Sequence, residues 1–342
     1  MSPNNQWIAS GAEDATIILW KITDDTIEVA RDWRAQMSDI EHLQFAPDSL
    51  RLSSNGSHGR VKVWDIVHVT RLANWPVHSI LVPPLSTVWS PDGRIAAYYS
   101  GVSGVSLCDA QTYEIRVDME LSTGFREPTC SVFSSDGSYV ATGDYSVVHM
   151  HECSTLEELE PLRRARFKKP TTATFTLDGT QLIVVWPRGC ITFWDYRSIQ
   201  QPNASRDVYL VSGQSEPLQE SIVTALSLGG TTLLWVPRDA NHVDIFDTES
   251  GTLSVSLVHD EHHFVLTACF SPCGGYVATA GEDRYVRLWE KSSGTCLAAF
   301  QCGRGAPTHI AFTPDGRRLV AGTRVGSVYV HRVGDLMQRN VV

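Results

Sequence analysis

The stretch Trp89-Ser90-Pro91-Asp92-Gly93 returns in related form along the chain and decides the fold. Each copy has an apolar run, an aromatic or leucine residue, and a short polar turn. An Asp-Gly pair between apolar runs is a strong β-hairpin signal, because glycine adopts positive φ without steric cost. The copies begin at Phe45, Trp89, Phe133, Phe175, Leu226, Phe270 and Phe312, in steps of 44, 44, 42, 51, 44 and 42 residues. This regular step predicts a repeated β unit of about 43 residues.

A second series marks the end of an alternating apolar strand that follows each turn. Every member precedes a polar residue, and the members are Trp20, Trp64, Cys108, His151, Trp194, Phe246, Trp289 and His331. The steps between them are 44, 44, 43, 43, 52, 43 and 42 residues. Two series with one phase indicate eight units of four short strands. Because the apolar residues alternate and show no helical period, the sequence predicts an all-β fold.

The aromatic-Ser-Pro-Asp-Gly turns and the pairs Trp64-Asp65 and Trp194-Asp195 resemble the WD-repeat family of β-propellers, in degenerate form. The resemblance runs from Trp7 to about Val333 and implies four-stranded antiparallel blades around a central channel. One blade cannot bury both of its faces, so neighbouring blades must cover it. We therefore predict a single β-propeller domain over residues 1–342, with eight blades or, as the alternative, seven. A fragment of a longer repeat array is a third interpretation.

Both ends of the chain are expected to be short of strands. Six residues precede Trp7, so the first unit is predicted to lack its innermost strand. Eleven residues follow His331, so the last unit has room for a weak outermost strand at best.

The match to the family also has gaps. Its Gly-His dipeptide is absent from the chain. Its turn aspartate appears as Asp14 and Asp283, six residues before Trp20 and Trp289 respectively. At the same offset before Trp64 the chain has His58 instead. The resemblance implies a network of Asp, His, Ser or Thr, and Trp in each blade. We expect this network to be incomplete and the protein to be less stable for it.

Two histidine-rich stretches are candidates for chemistry. The stretch 259–263 (His-Asp-Glu-His-His) is interpreted as a solvated connection rather than a metal site, because five adjacent residues rarely provide ligand geometry. His149 and His151 alternate with Met150, and we expect them to pack or hydrogen-bond within a blade rather than act as a base.

Composition excludes several classes of protein. With 342 residues, 42% of them hydrophobic, the chain can build a sizeable core, and its net charge of −10 disfavours non-specific nucleic-acid binding. Charged residues make up 19%, which we attribute to strands buried on both faces, with charge confined to turns. The uncharged stretch 221–237 is too polar to span a membrane, and no signal peptide is apparent. Without a secretory signal, the eight cysteines are expected to be reduced thiols. They include no Cys-x-x-Cys pair, so no metal site is predicted. The predicted location is intracellular, and cytoplasmic rather than nuclear.

One basic run is the candidate binding site. Five positive charges lie within seven residues, at Arg163, Arg164, Arg166, Lys168 and Lys169. The resemblance places this run between blades four and five, on the face where partners of such proteins dock, and short turns add Arg188 and Arg284. The run is expected either to bind an acidic or phosphorylated segment of another protein or to be a solvated charged loop.

Motifs for catalysis are missing from the sequence. There is no Gly-x-Ser-x-Gly elbow, no phosphate-binding Gly-x-x-x-x-Gly-Lys loop and no His-Glu-x-x-His pair. We therefore predict no catalytic residues and no cofactor. The predicted function is a non-catalytic protein–protein interaction scaffold or adaptor. The alternatives are a propeller enzyme with its site at the channel mouth, and the sensor half of a larger multidomain regulator.

Overall fold

The computed structural model describes residues 1–23, 26–56, 60–77, 87–101, 104–120, 128–144, 147–155, 157–163, 169–197, 204–211, 221–259 and 263–339. These residues form eight antiparallel sheets, numbered 1 to 8 in chain order. In every sheet the strands lie side by side in chain order, so each sheet is a meander of hairpins. By their contacts the described residues fall into two compact units, the first up to Phe175 and the second from Thr176.

The first unit contains the strands of sheets 1 to 4 and the first strand of sheet 5. Sheet 1 consists of β1 (Trp7–Gly11), β2 (Thr16–Ile22) and β3 (Ile27–Arg34), and sheet 2 of β4 (Ile40–Phe45), β5 (Arg51–Gly56), β6 (Arg60–Asp65) and β7 (Thr70–Pro76). Sheet 3 consists of β8 (Val88–Trp89), β9 (Ile95–Gly101), β10 (Gly104–Asp109) and β11 (Ile115–Glu120). Sheet 4 consists of β12 (Pro128–Phe133), β13 (Tyr139–Asp144), β14 (Val147–Glu152) and β15 (Leu162–Arg163), and β16 (Thr172–Phe175) opens sheet 5.

The second unit contains the remaining strands and one helix. Sheet 5 continues with β17 (Leu182–Trp186), β18 (Cys190–Asp195) and β19 (Ala204–Tyr209), and sheet 6 consists of β20 (Ser221–Leu226), β21 (Thr232–Pro237), β22 (His242–Asp247) and β23 (Leu253–Val258). Sheet 7 consists of β24 (Val265–Phe270), β25 (Tyr276–Gly281), β26 (Tyr285–Glu290) and β27 (Cys296–Gln301). Sheet 8 consists of β28 (Pro307–Phe312), β29 (Arg318–Thr323) and β30 (Val328–Arg332), and helix α1 (Val333–Arg339) follows.

One hydrogen-bond pattern holds the turn between the first two strands of a sheet. In sheet 3, Ser90 Oγ donates to Asp92 Oδ1 at 2.6 Å, and the N–H of Arg94 donates to the same oxygen at 3.0 Å. Gly93 completes the turn with a φ of +69°, in the region that glycine adopts readily. The same pattern recurs around Asp136, Asp178 and Asp315. The predicted Asp-Gly hairpins are thus confirmed, and the aspartate stabilises each turn together with the glycine.

The core consists mainly of the middle strands. Every residue of β17 is buried, as is every residue of β18 except Asp195. Each buried aliphatic side chain of this kind contributes roughly 1.5–3 kcal/mol to folding. The outermost strands differ, since most of β3 is exposed. The expectation that charge is confined to turns is wrong, because Asp244 lies on β22 and Arg287 on β26. Both charged side chains are accommodated because they have polar partners.

The first sheet has three strands among the described residues. Trp20 on β2 is the counterpart of Trp64 on β6, the third strand of sheet 2. Sheet 1 therefore has no described counterpart of β4, as the sequence predicts.

The last sheet continues into a helix where the sequence allows at best a weak strand. His331 lies on β30, and α1 follows directly. Its Val333 and Leu336 are buried in one cluster with Leu319 and Phe312. These buried apolar residues give α1 a packed face, although the chain as a whole shows no helical period.

The expected polar network is complete in sheet 7, so the prediction of an incomplete network is wrong there. His259 Nε2 lies 2.7 Å from Thr279 Oγ1, which accepts the indole N–H of Trp289 at 2.7 Å. Asp283 and Arg287 form an ion pair at 2.5 Å, and Arg287 Nη1 lies 3.1 Å from His259 Nδ1. Since His259 is 5% exposed, the stretch 259–263 is not a solvated connection at its start; Asp260, Glu261 and His262 lie outside the described residues.

Sheet 2 contains part of this network. The indole N–H of Trp64 donates to Ser54 Oγ at 2.9 Å, and Gln36 Nε2 donates to that hydroxyl at 3.1 Å. Gln36 therefore occupies the place that His259 has in sheet 7.

The two histidines of β14 are both buried, as predicted. His149 Nδ1 lies 2.6 Å from Glu158 Oε1, which gives His149 a polar partner. Met150 between them is fully buried. The pair is therefore part of the interior of sheet 4.

Candidate interaction surface

The predicted basic residues that the structure describes lie at one kind of strand end. In a meander of antiparallel strands, the turn between the second and third strands lies at the same end as the connection to the next sheet. This end is called the upper end of a sheet below. Arg163, the last residue of β15, pairs with Val147 at the start of β14 and so lies at the upper end of sheet 4. Lys169 lies in the connection that follows, and both residues are exposed. Arg164, Arg166 and Lys168 lie outside the described residues.

The other two predicted residues lie on hairpin turns of the second unit. Arg188 is in the β17–β18 turn and Arg284 in the β25–β26 turn, each at the upper end of its sheet. Both are exposed, while the strands beneath them are almost entirely buried. The strands therefore provide a firm support on which the turns present their side chains.

Three of these basic residues have a left-handed backbone. The φ angles of Lys169, Arg188 and Arg284 are +52°, +63° and +68°. A residue other than glycine in this region carries about 1–3 kcal/mol of strain. The counterpart of Arg284 in sheet 8 is Gly326, with a φ of +81°. Glycine therefore occupies the same turn position elsewhere in the chain, at no such cost.

The turn beneath Arg284 is built around an acidic residue. The N–H of Tyr285 donates to Asp283 Oδ1 at 3.0 Å, while the other carboxylate oxygen pairs with Arg287. The neighbouring β21–β22 turn presents Arg238 and Asp239, both exposed. The upper ends of the second unit therefore carry charges of both signs.

Sequence reasoning missed a group of cations on sheet 2, which consists of Arg60, Lys62 and Arg71. Lys62 Nζ donates to the carbonyl of Ala35 at 2.6 Å and lies 5.9 Å from the ring centroid of Trp64. Burial lowers the pKa of Lys62, and the positive charges of Arg71 and Arg60 lower it further. The alternation of charged residues along β6 was the available signal. The register with β7 that brings Arg71 alongside could not be inferred from it.

A hydroxyl, a carboxylate and an imidazole come together on sheet 6. Ser256 Oγ donates to Asp244 Oδ1 at 2.5 Å, and His242 Nε2 lies 3.6 Å from Asp244 Oδ2. The carboxylate stands between the other two groups, whereas activation of a serine nucleophile needs the imidazole next to the hydroxyl. This arrangement acts as a cross-strand polar link and does not present an activated nucleophile.

The cysteines show no disulfide, and Cys273 is distinctive among them. It stands where aspartate stands in the first turns of sheets 2, 3, 4, 5 and 8, and Ser271 Oγ lies 3.3 Å from its Sγ. This contact and the N–H of Gly275 lower the pKa of the Cys273 thiol, whereas burial raises the pKa of Cys153 and Cys269, each to about 12. Among the described residues no group of His, Cys, Asp and Glu side chains is arranged to hold a metal ion. In the same part of the chain, no helix is long and apolar enough to cross a membrane.

Comparison with protein families matches two parts of the chain to the model described as "WD domain, G-beta repeat". The matched residues are 1–21 and 252–290. The second segment contains the complete polar network of sheet 7.

Curated relatives carry similar names. The WD repeat-containing protein 26 homolog of Arabidopsis thaliana is 20% identical over 99% of this chain and 49% of its own length. An uncharacterised WD repeat-containing protein of Synechocystis is 31% identical over 44% of this chain and 40% of its own length. The chain thus spans about half the length, or less, of these relatives.

Solved structures show the same fold. The C-terminal WD40 domain of Sif2 aligns with a TM-score of 0.76 and 13% identity, over 96% of this chain and 93% of that one. The computationally designed Ika8 protein aligns with a TM-score of 0.73 and 20% identity, over 96% of this chain and 93% of that one. These alignments and the eight meander sheets confirm an all-β propeller fold with eight antiparallel blades. Two segments of the chain match the WD-repeat model, and the chain is similar over nearly its whole length to WD repeat-containing proteins.

Proposed function

We propose that this chain is a non-catalytic protein-interaction platform, a scaffold or adaptor that binds partners with side chains at the upper ends of its sheets. WD-repeat propellers generally mediate protein interactions. The turns of this chain support the more specific role.

The observation that carries the proposal is the left-handed backbone of exposed basic residues at Lys169, Arg188 and Arg284. Folding alone would favour glycine at these positions, because a side chain there adds strain. These side chains are long, charged and exposed, and the strands beneath them are buried. They are therefore suited to contact with another molecule. Arg163 adds a further exposed cation at the upper end of sheet 4.

The chemistry of these side chains supports acidic or phosphorylated segments as ligands. Arginine donates up to five N–H groups in a planar fork that matches carboxylate and phosphate oxygens. Exposed charges of both signs give specificity and faster association rather than large affinity. The net charge of −10 speaks against nucleic acid as the partner, since a polyanion is repelled over most of the surface.

An intracellular location is part of the proposal. All eight cysteines are free of disulfides, which suits a reducing compartment. We also propose that residues 1–342 act as one propeller domain, which could serve within a longer regulator, since the curated relatives extend well beyond the aligned length.

Affinity capture from native extract with the variants Arg188→Gly and Arg284→Gly, separately and combined, tests the proposal. Each variant should bind fewer partner proteins while its melting temperature stays the same or rises, because glycine relieves the backbone strain. Arg317→Gln is the matched control, since Arg317 is an exposed arginine at the opposite end of sheet 8. Unchanged capture by the combined variant, or turnover of a metabolite by the purified protein, would contradict the proposal.

A further inference from the structure

We infer that Arg60, Lys62 and Arg71 form a binding site for a phosphorylated serine or threonine side chain of a partner protein. This inference rests on the proposed function only in that the ligand belongs to a protein. It concerns a face of sheet 2, separate from the turns that carry the proposal above.

Strand register places the three cations on one face. Arg60, Lys62 and Trp64 alternate along β6 and therefore point to the same side of the sheet. A register shift between Val63 and Trp64 sets Arg71 of β7 opposite Trp64, while Asn74 lies opposite Lys62. Paired residues point to the same side, so Arg71 joins the two cations of β6.

Lys62 is held in place at the centre of the group. Its ammonium donates to the carbonyl of Ala35 and lies near the ring of Trp64, whose edge contacts Trp33 at 5.8 Å between centroids. Lys62 is half-buried, while Arg60 and Arg71 are exposed. A positioned ammonium between two accessible guanidinium groups can converge on one small anion.

The group has no counter-charge among the described residues. None of the three side chains forms an ion pair there, and burial, together with the charges of Arg71 and Arg60, lowers the pKa of Lys62. Like charges placed close together destabilise a sheet. Such an arrangement favours the binding of an anion that neutralises them.

The equivalent positions in sheets 5 and 7 each have an acidic partner, whereas Lys62 has none among the described residues. The counterpart of Lys62, two residues before the aromatic position, is Arg287 in sheet 7, and Asp283 neutralises it at 2.5 Å. In sheet 5 the counterpart Thr192 donates to Asp207 at 2.7 Å. In the sequence the counterpart of Asp283 is His58, so sheet 2 keeps the cation without the acidic residue.

The number of cations on this face favours phosphate over carboxylate. A phosphorylated side chain carries about −1.5 to −2 charges and three acceptor oxygens, which match three cationic donors. A single carboxylate has one charge and two oxygens and would leave one cation unpaired. Lysine provides a point charge and the two arginines can donate in pairs, a combination suited to phosphoryl oxygens.

Peptide capture tests the site directly. Immobilised peptide libraries of random sequence around a central phosphoserine or phosphothreonine are compared with the same libraries carrying unphosphorylated or aspartate centres. The wild-type chain should retain the phosphorylated libraries above both others. Arg60→Gln, Lys62→Gln and Arg71→Gln should each weaken that retention about tenfold, the effect of losing one charge-assisted hydrogen bond.

Further variants serve as controls for folding and for specificity. The side chains of Arg60 and Arg71 donate no hydrogen bond to described residues, so their glutamine variants should melt like the wild type. Arg94→Gln is the matched control, because Arg94 is an exposed arginine of the same unit that lies beside Asp92. It should retain phosphopeptides like the wild type.

Several outcomes would overturn the inference. Equal retention of phosphorylated and unphosphorylated libraries, equal retention of the aspartate library, or full displacement by a single-stranded oligonucleotide would each do so. Unchanged retention by the Arg60→Gln/Arg71→Gln variant would also do so. If partners from extract still bind through Arg188 and Arg284 while phosphopeptides do not bind, this inference fails and the proposed function stands. If phosphopeptides bind but no protein is captured from extract, this inference stands and the proposed function fails.

Discussion

The imidazole Nε2 of His259 lies 2.7 Å from the hydroxyl oxygen of Thr279. The same hydroxyl accepts the indole N–H of Trp289, so one buried oxygen connects two ring systems whose centroids are 5.6 Å apart. A buried polar network of this kind is strong when every member is satisfied and costly when one is removed.

Replacing Thr279 by valine should therefore destabilise the protein by about 2–4 kcal/mol, because both rings lose their buried partner. Urea unfolding followed by tryptophan fluorescence measures the loss. Thr267→Val is the matched control: Thr267 lies in the same sheet, and its hydroxyl has no hydrogen bond within the described residues. Similar losses for the two variants would show that the network adds nothing beyond packing.

Cys273 should be alkylated before Cys296, although both residues are exposed. The hydrogen bond with Ser271 and the N–H of Gly275 lower the pKa of Cys273, whereas burial of the sulfur raises that of Cys296. More thiolate is then present on Cys273 near pH 7.5, and the thiolate is the nucleophile. Limiting iodoacetamide followed by peptide mass spectrometry measures the order of modification. Faster labelling of Cys296 would refute the assignment.

The same turn predicts a stabilising substitution. Cys273→Asp should raise the free energy of unfolding by about 0.5–1.5 kcal/mol, because a carboxylate would accept the two hydrogen bonds seen at Asp92 and Asp315. Denaturant midpoints measure the gain. Cys296→Asp is the control and should bring none, since Cys296 lies on a strand.

Gly229 is required by a close contact between neighbouring sheets. A Cβ atom there would lie 2.8 Å from Cγ of Leu177, and the φ of Gly229 is +81°. Gly229→Ala should therefore cost more than backbone strain alone, about 2–3 kcal/mol in unfolding free energy. Gly274→Ala is the matched control, because its φ is +70° but its Cβ would meet nothing within 4 Å.

A second variant separates strain from steric contact. Leu177→Ala should recover part of the loss in the Gly229→Ala protein, since Leu177 is 67% exposed and its own truncation is cheap. Equal losses for Gly229→Ala and Gly274→Ala would mean that the contact is relieved by movement of Leu177.

His242 should make stability depend on pH. The carboxylate of Asp244, 3.6 Å from Nε2, raises the pKa of His242 above 6.5, against a smaller opposing effect of burial. Stability from this pair is fully present below pH 6.5 and is lost as pH rises through the folded-state pKa. The difference in unfolding free energy between wild type and His242→Gln should shrink between pH 6 and 8, as measured by urea titration. A constant difference would argue against the pair.

His151 provides a contrast of opposite sign. Burial lowers its pKa below 6.5, so the folded state resists protonation and loses stability as pH falls below that value. His151→Gln should therefore be less sensitive than wild type to acidification from pH 6.5 to 5. If both histidine variants changed the pH profile in the same direction, the direction of the pKa shift assigned to one of the two histidines would be wrong.

Part of the candidate site could be predicted from the sequence. The repeat phase places Arg188 and Arg284 in the short turns between the second and third strands, because turn chemistry is local and each unit repeats the same order of strands and turns. Their exposure follows from the same argument. Their left-handed backbone does not, since glycine or arginine can stand at such a position and only the closed hairpin shows the strain.

The rest depends on residues that are distant in the chain. His259 pairs with Thr279 across twenty residues, and the family's Gly-His signal is absent, so the network of sheet 7 went unpredicted. Arg71 joins Lys62 only because of the register shift at Val63. A shift of one residue moves a side chain to the other face, and no local pattern records where it occurs.

The sequence by itself determined the repeat, the hairpin turns and the all-β class, because these follow from local turn preferences and the two-residue alternation of strands. The propeller arrangement was implied by the resemblance of the repeated motifs to the WD-repeat family. The tertiary structure alone decided which polar side chains meet: Asp283 with Arg287, Asp244 with Ser256, and Lys62 with no acidic partner at all among the described residues. Pairing across strands depends on register and bulges, which arise when whole sheets pack. For this reason the interaction chemistry of the chain lies in its tertiary contacts, while its architecture can be predicted from its turns.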